Sequence, residues 1–312
     1  MNKKIVKLIL SLALLALIVV LAYFSFRSVP SAPVSLGDDK LKVVASFYPL
    51  YFFAAEIGGD QAFVRNITPA GAESHDYEPT AADMAAIEDS RLLILNGGGL
   101  EAWADGLGTD SDWESDKTII AGDALATKEM EEDGERRKDP HVWLSPILAF
   151  QMADRIAAGF VSADSENADY YLANAADLKQ RLQDLDAAYR QSLSACARQD
   201  FITSHAAFAY LADAYGLRQV PIAGLSPETE PSPQEMADIV KFARENEVRY
   251  IFFESLASPK LAQAIASEIG AQTLVLNPLE GLLPAEVAAG QDYFSVMLDN
   301  LSNLLIALQC QP

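Results

Sequence analysis

The sequence predicts an α/β protein made of two parallel-sheet lobes joined by one long, rigid helix. Three observations carry this. Eight short apolar, β-branched runs alternate with helical patterns, as parallel strands covered on both faces do. One stretch between the fourth and fifth runs keeps a helical repeat without Gly or Pro. The 312 residues are too many for one ordinary core and suit two domains.

The runs fall at 41–46, 63–68, 92–96 and 117–121, then at 201–204, 219–223, 248–254 and 273–277. In the middle, Tyr171, Ala175, Leu178, Leu182, Leu185 and Tyr189 recur at spacings of four and three. They predict one amphipathic helix from Ser165 to about Ala195, roughly 45 Å long. Two later helices carry start signals. Ser232-Pro233-Gln234-Glu235 is a cap, a first-turn proline and a capping-box Glu. Ser258-Pro259 repeats the cap-then-proline pattern, and Gly270 closes that helix. The charged run 128–139 reads as a solvated loop.

Ahead of the first run, Lys3, Lys4 and Lys7 precede an uncharged stretch, 8–26, that Arg27 closes. A basic start with an apolar centre is an export signal, and the stretch is also long enough to anchor in a bilayer. Cleavage fits after Val20-Leu21-Ala22 or Val29-Pro30-Ser31. Everything after about residue 28 is expected outside the membrane, and 28–40 has a linker's composition. The expected division is therefore 1–27 signal or anchor, 28–40 linker, 41–164 first lobe, 165–196 connecting helix and 197–312 second lobe. Cys196 and Cys310 are the chain's two cysteines. In an oxidising compartment they read as one disulfide tying the last helix to the start of the second lobe.

Half the residues are hydrophobic, 21% are charged, and the formal net charge is -21. Such acidity speaks against nucleic acid as a partner, which needs clustered Lys and Arg. The chain's three histidines, His75, His141 and His205, are placed suggestively. His75 follows the second run and His205 closes the fifth, at the carboxyl ends where open α/β sheets bind ligands. His141 joins them if its loop folds over the same edge. Imidazoles suit zinc, copper, nickel or iron better than magnesium or calcium. A tetrahedral site needs a fourth donor, and Glu254 and Glu280 both stand at later strand ends. Spacing alone does not choose between them.

Several segments resemble the metal-binding solute-binding proteins of bacterial ABC importers for zinc and manganese. They are Ser46-Phe47-Tyr48-Pro49-Leu50, His75-Asp76-Tyr77-Glu78-Pro79-Thr80, Asn96-Gly97-Gly98-Gly99-Leu100-Glu101, Asp139-Pro140-His141-Val142-Trp143-Leu144 and Thr203-Ser204-His205-Ala206-Ala207-Phe208. The likeness runs from about 42 to 310. It implies a two-lobe fold with a metal in the intervening cleft, first ligands at His75, His141 and His205, and Glu280 as the carboxylate fourth ligand. It also implies Zn2+ as cargo, since members carrying Mn2+ usually replace the third imidazole by a carboxylate. The partner implied is an ABC permease in the cytoplasmic membrane, served by a monomeric, extracytoplasmic and non-enzymatic protein. Two departures stand out: 128–139 contains no histidine, where many zinc members have a His-rich loop, and no Cys follows the apolar start. A zinc-dependent hydrolase is the rival reading, with Glu254 as general base. Glu280 filling the open position and the lack of an HExxH motif weigh against it. A surface adhesin with an incidental metal is a third.

Overall fold

Strand β1 (Leu41–Ala45) is buried at every position but Lys42, as a central strand covered on both faces must be. It pairs in parallel with β2 (Ala62–Asn66) and β3 (Leu92–Leu95), and β3 pairs with β4 (Thr118–Ile120). The computed structural model describes residues 40–106, 117–132 and 134–311. The apolar stretch 8–26, both cleavage positions and the linker up to residue 39 lie outside the described residues. Among the described residues no helix is long and apolar enough to cross a membrane.

The second sheet is built from β7 (Asp200–Thr203), β8 (Arg218–Pro221), β9 (Tyr250–Phe253) and β10 (Gln272–Val275), again all parallel. The two strand orders are β2-β1-β3-β4 and β10-β9-β7-β8. Each strand lies within two or so residues of its expected run. In both sheets the chain leaves the carboxyl end of the strands into the loops that matter below.

The charged run 128–139 departs from expectation. It folds into an antiparallel hairpin of β5 (Glu129–Glu132) and β6 (Glu135–Lys138). The register sets Glu129 opposite Lys138 and Glu131 opposite Arg136, and opposite charges across a pair support a ladder that has no apolar face. The solvation holds for β6, which is exposed throughout, but the segment is a paired hairpin and not a loop.

Helix α1 (Tyr48–Gly58) follows β1, α2 (Ala81–Asp89) follows the loop after β2, and α3 (Pro146–Ala163) leads into the long helix. That helix opens with a 3-10 turn, Ser165–Asn167, and continues as α4 (Ala168–Leu193). Its 26 residues span about 39 Å. The six residues of the predicted stripe are all buried. After it come α5 (Ala209–Ala214), α6 (Pro233–Glu245), α7 (Lys260–Ile269), α8 (Pro284–Ala288) and α9 (Tyr293–Ala307). The capping box of Ser232 and Glu235 forms at α6. At α7 the expected Ser258 cap does not: Pro259 takes the capping position, one residue later, without a side-chain bond. Gly270 ends α7 at φ 72°, a left-handed turn that glycine adopts without strain.

A continuous apolar core runs from Val43 and Phe53 under the first sheet, along α4, to Phe201, Tyr293 and Leu304 in the second half. Phe52 stacks on Tyr293 with ring centres 5.9 Å apart, and the Tyr189 hydroxyl donates to the Met297 carbonyl at 2.6 Å. A smaller cluster of Ile202, Ile239, Ile251 and Ile265 sits on the other face of the second sheet. Cys196 and Cys310 form a disulfide, which ties the end of α9 to the segment after α4.

Candidate metal centre

Four loops bring the site together. His75 lies between β2 and α2, in a turn that Glu73 shapes by accepting the backbone N–H of His75 at 3.0 Å and of Asp76 at 3.3 Å. His141 follows the hairpin. Its backbone N–H and its Nδ1 both reach Asp139 Oδ1, at 3.0 and 2.8 Å. His205 leaves the carboxyl end of β7, and its Nδ1 meets Glu254 Oε1 at 2.6 Å. Glu280 stands beyond β10, after Leu279.

The turn that presents Glu280 is strained. Leu279 has φ 58°, a left-handed conformation that costs a non-glycine residue about 1–3 kcal/mol. Buried bonds hold it there. The Leu279 N–H donates to Asn277 Oδ1 at 2.8 Å, and Asn300 brackets the Asn277 backbone with bonds of 2.8 and 2.7 Å. Leu279 itself is fully buried.

The geometry at the centre is tight. His75 Nε2 lies 3.2 Å from His141 Nε2 and 3.5 Å from Glu280 Oε1. His141 Nε2 is 3.2 Å from Glu280 Oε1 and 3.3 Å from His205 Nε2, and His205 Nε2 is 3.2 Å from Glu280 Oε1. All four donor atoms lie within 4.8 Å of one another. A tetrahedral ion with bonds of about 2.0–2.1 Å sets its ligands roughly 3.3–3.4 Å apart. Five of the six separations match that edge.

Tautomers sharpen the point. When Nδ1 of His141 and of His205 donates to Asp139 and Glu254, each ring's Nε2 is a bare lone pair. Two such lone pairs and a carboxylate oxygen then face a common centre, an arrangement that repels itself unless a proton or a metal ion sits there. Burial strengthens the effect: His141 and His205 are 0% exposed and Glu280 is 1% exposed.

The proton affinities follow from burial and from the charges each group faces. Burial lowers that of His75 below its usual value. At His141 burial also pulls down, but the Asp139 and Glu280 carboxylates outweigh it and the net shift is upward. At His205 the Glu254 and Glu280 carboxylates win by more. Burial would raise Glu280, yet His205 and His141 hold it well below the ordinary carboxylate range. Glu73 is pushed up to about 9 by burial and by the neighbouring Glu280 charge.

All four residues singled out from the sequence, His75, His141, His205 and Glu280, are thus brought to one point. Glu254, the other carboxylate, backs His205 rather than facing the centre. Asp139, Glu73 and the Asn277–Asn300 bracket went unassigned in the sequence. Asp139 had a signal, an acid two residues before a histidine. The asparagines, 23 apart in the chain, had none.

Fold and cluster together define a class: an α/β protein with two parallel sheets whose loops converge a three-imidazole, one-carboxylate donor set. A family model described as ZnuA, zinc-uptake complex component A periplasmic, matches residues 43–307, and the chain belongs to this family. It is 42% identical over 285 residues to the high-affinity zinc uptake system protein ZnuA of Bacillus subtilis (strain 168), covering 85% of this chain and 87% of that one. Among solved structures, it is similar to the metal-dependent lipoprotein YcdH from Bacillus subtilis, at 41% identity and TM-score 0.74, over 86% of this chain and 99% of that chain. It is also similar to the Zn(II)-bound ZnuA-like domain of Streptococcus pneumoniae AdcA, at 39% identity and the same TM-score, over 86% and 99%.

Proposed function

We propose that this chain captures Zn2+ outside the cytoplasmic membrane and delivers it to the permease of an ABC importer. The observation that carries the reading is that five of the six donor separations fall at 3.2 to 3.5 Å, close to the ligand edge of a tetrahedral zinc ion. His75, His141, His205 and Glu280 are the ligands. Three neutral imidazoles favour zinc over manganese, which prefers oxygen donors. Asp139 and Glu254 orient two of the rings and raise their basicity, the usual work of carboxylates behind metal-bound histidines.

Residues 41–164 and 197–312 act as two lobes, with 165–196 as a stiff connector, and the ion lies between them. The segment 8–26 exports the chain and retains it at the membrane or is cleaved. No chemistry is done on the ion. Glu280 takes the fourth position that a hydrolytic zinc would leave to water, so the hydrolase reading loses its nucleophile.

Metal analysis of the purified chain, followed by competition titration against a zinc chelator, tests this. One tightly held zinc per chain is expected, with manganese bound more weakly. Failure to retain zinc, or tighter retention of manganese, overturns it.

A further inference from the structure

His141 and Glu280 are 139 residues apart in the chain and come from opposite halves of the molecule, yet one side chain ties their segments together. Trp143 stands two residues after His141, in the 3-10 turn Val142–Leu144. Its indole N–H donates to the carbonyl of Pro278, two residues before Glu280, at 2.8 Å. In the other direction, the Tyr293 hydroxyl at the start of α9 donates to the Trp143 carbonyl at 2.6 Å.

Trp143 does more than fill space. It is fully buried, stands edge-on to Phe47 with ring centres 4.7 Å apart, and lies 5.2 Å from the His141 ring. A phenyl ring can supply that packing. The indole adds a buried N–H, which needs an acceptor, and the acceptor it meets is on the turn that presents Glu280. Other bonds brace each segment separately. Asn96 Nδ2 donates to the Pro140 carbonyl at 2.9 Å, and the Tyr210 hydroxyl donates to the Asp139 carbonyl at 3.0 Å. Behind the Glu280 turn, Asn300 brackets Asn277. Of these bonds, the one from Trp143 to Pro278 joins the His141 segment to the Glu280 turn. The edge it closes, from His141 Nε2 to Glu280 Oε1, is 3.2 Å. That length suits metal bonds of about 2.0 Å; longer bonds need a wider edge, which stretches the Trp143–Pro278 tie.

We propose that Trp143 is a positioning residue that sets the size of ion the centre accepts, by holding His141 and Glu280 at the edge of a zinc tetrahedron. This rests on zinc capture at the same centre. Trp143 touches no metal; it acts through the two donors whose backbones it links. With the tie in place, a larger ion must either strain that link or bind with one long bond. With the tie cut, the His141–Glu280 edge widens at little cost, so zinc loses its matched cage while a larger ion gains room. Cadmium isolates the effect, since it carries zinc's charge and a filled d shell but forms longer bonds.

The test is competition titration of Zn2+ and Cd2+ on the full chain, unaltered and with Trp143→Phe. A second variant carries benzothienylalanine at position 143, which keeps the indole's outline but puts sulfur in place of the N–H. Both changes are expected to weaken zinc about tenfold and to leave cadmium level or tighter, narrowing the preference for zinc about tenfold. The visible absorption of the Co2+-loaded chain gives a second readout: it is intense for four donors and should weaken in both variants as water enters. A zinc-to-cadmium ratio within about threefold of the unaltered chain's, whether both affinities fall together or neither does, overturns the proposal. So does a ratio that moves with phenylalanine but not with the isostere, because packing rather than the N–H bond is then responsible. The isostere decides alone if the phenylalanine variant does not fold. An unaltered chain that holds neither ion fails earlier, at the capture reading itself, whereas tight zinc with an unmoved ratio sinks only the role of Trp143.

Discussion

His75 and His205 are the same side chain at equivalent places, each beyond the carboxyl end of a parallel strand, yet the two halves of the molecule hold them differently. His205 is wholly buried, and the Glu254 carboxylate fixes its ring at Nδ1. His75 is partly open, and Glu73 grips the backbone of its turn. The second half also sets Glu280 on a strained turn locked by Asn277 and Asn300. One side of the centre is therefore pre-organised and the other adjustable. A site that must bind tightly and still let go can use both: fixed donors for affinity, a looser one for exchange.

The largest effect expected from breaking this asymmetry is at His205→Ala. It removes a fixed donor and leaves Glu254 buried without its partner, and zinc affinity by competition titration should fall more than about 100-fold. Next is Glu254→Ala, which spares all four donors but frees the His205 ring. A loss of roughly 10–100-fold is expected, and an effect below about threefold would mean that the ring is oriented by packing instead. His75→Ala should cost less than His205→Ala, about tenfold, because a water can complete three remaining protein donors. Equal losses at the two histidines would abolish the distinction between a fixed and an adjustable side.

The smallest effect concerns acid. Asp83 caps α2 at the end of the His75 loop and accepts from Tyr77, Thr80 and Arg65. Burial opposes its ionisation, but the Thr80 and Tyr77 hydrogen bonds outweigh it and lower its pKa from 3.8 to about 2. A depressed carboxylate stabilises above its unfolded value, and that stability is lost as pH falls from about 4 to about 2. Thermal melts across that window should show a steeper decline for the unaltered chain than for Asp83→Asn. Parallel curves would remove Asp83 from the support of that loop.

Much of this was legible in the residues. Eight strands announced themselves as apolar runs because parallel strands bury both faces, and the α4 stripe repeated too regularly to be anything but a helix. The three histidines were found because strand ends are where such sheets bind. Legibility failed where partners are distant or the signal is ambiguous. Acids followed by bases at 128–139 looked like solvation, although the same order zips a hairpin. The left-handed Leu279 is imposed by bonds from Asn277 and Asn300, which no local pattern announces. Ser258 met the rule for a cap, but the helix began one residue later than the rule assumes.

The unbroken apolar interior shared by Phe52, Tyr189 and Tyr293 has a mechanical corollary. Neither sheet can melt while the other stands, so calorimetry should trace one endotherm, displaced upward as a whole by bound cargo. Of the four donors, His75 is then the one most open to exchange, since separating the halves would expose the apolar seam between them.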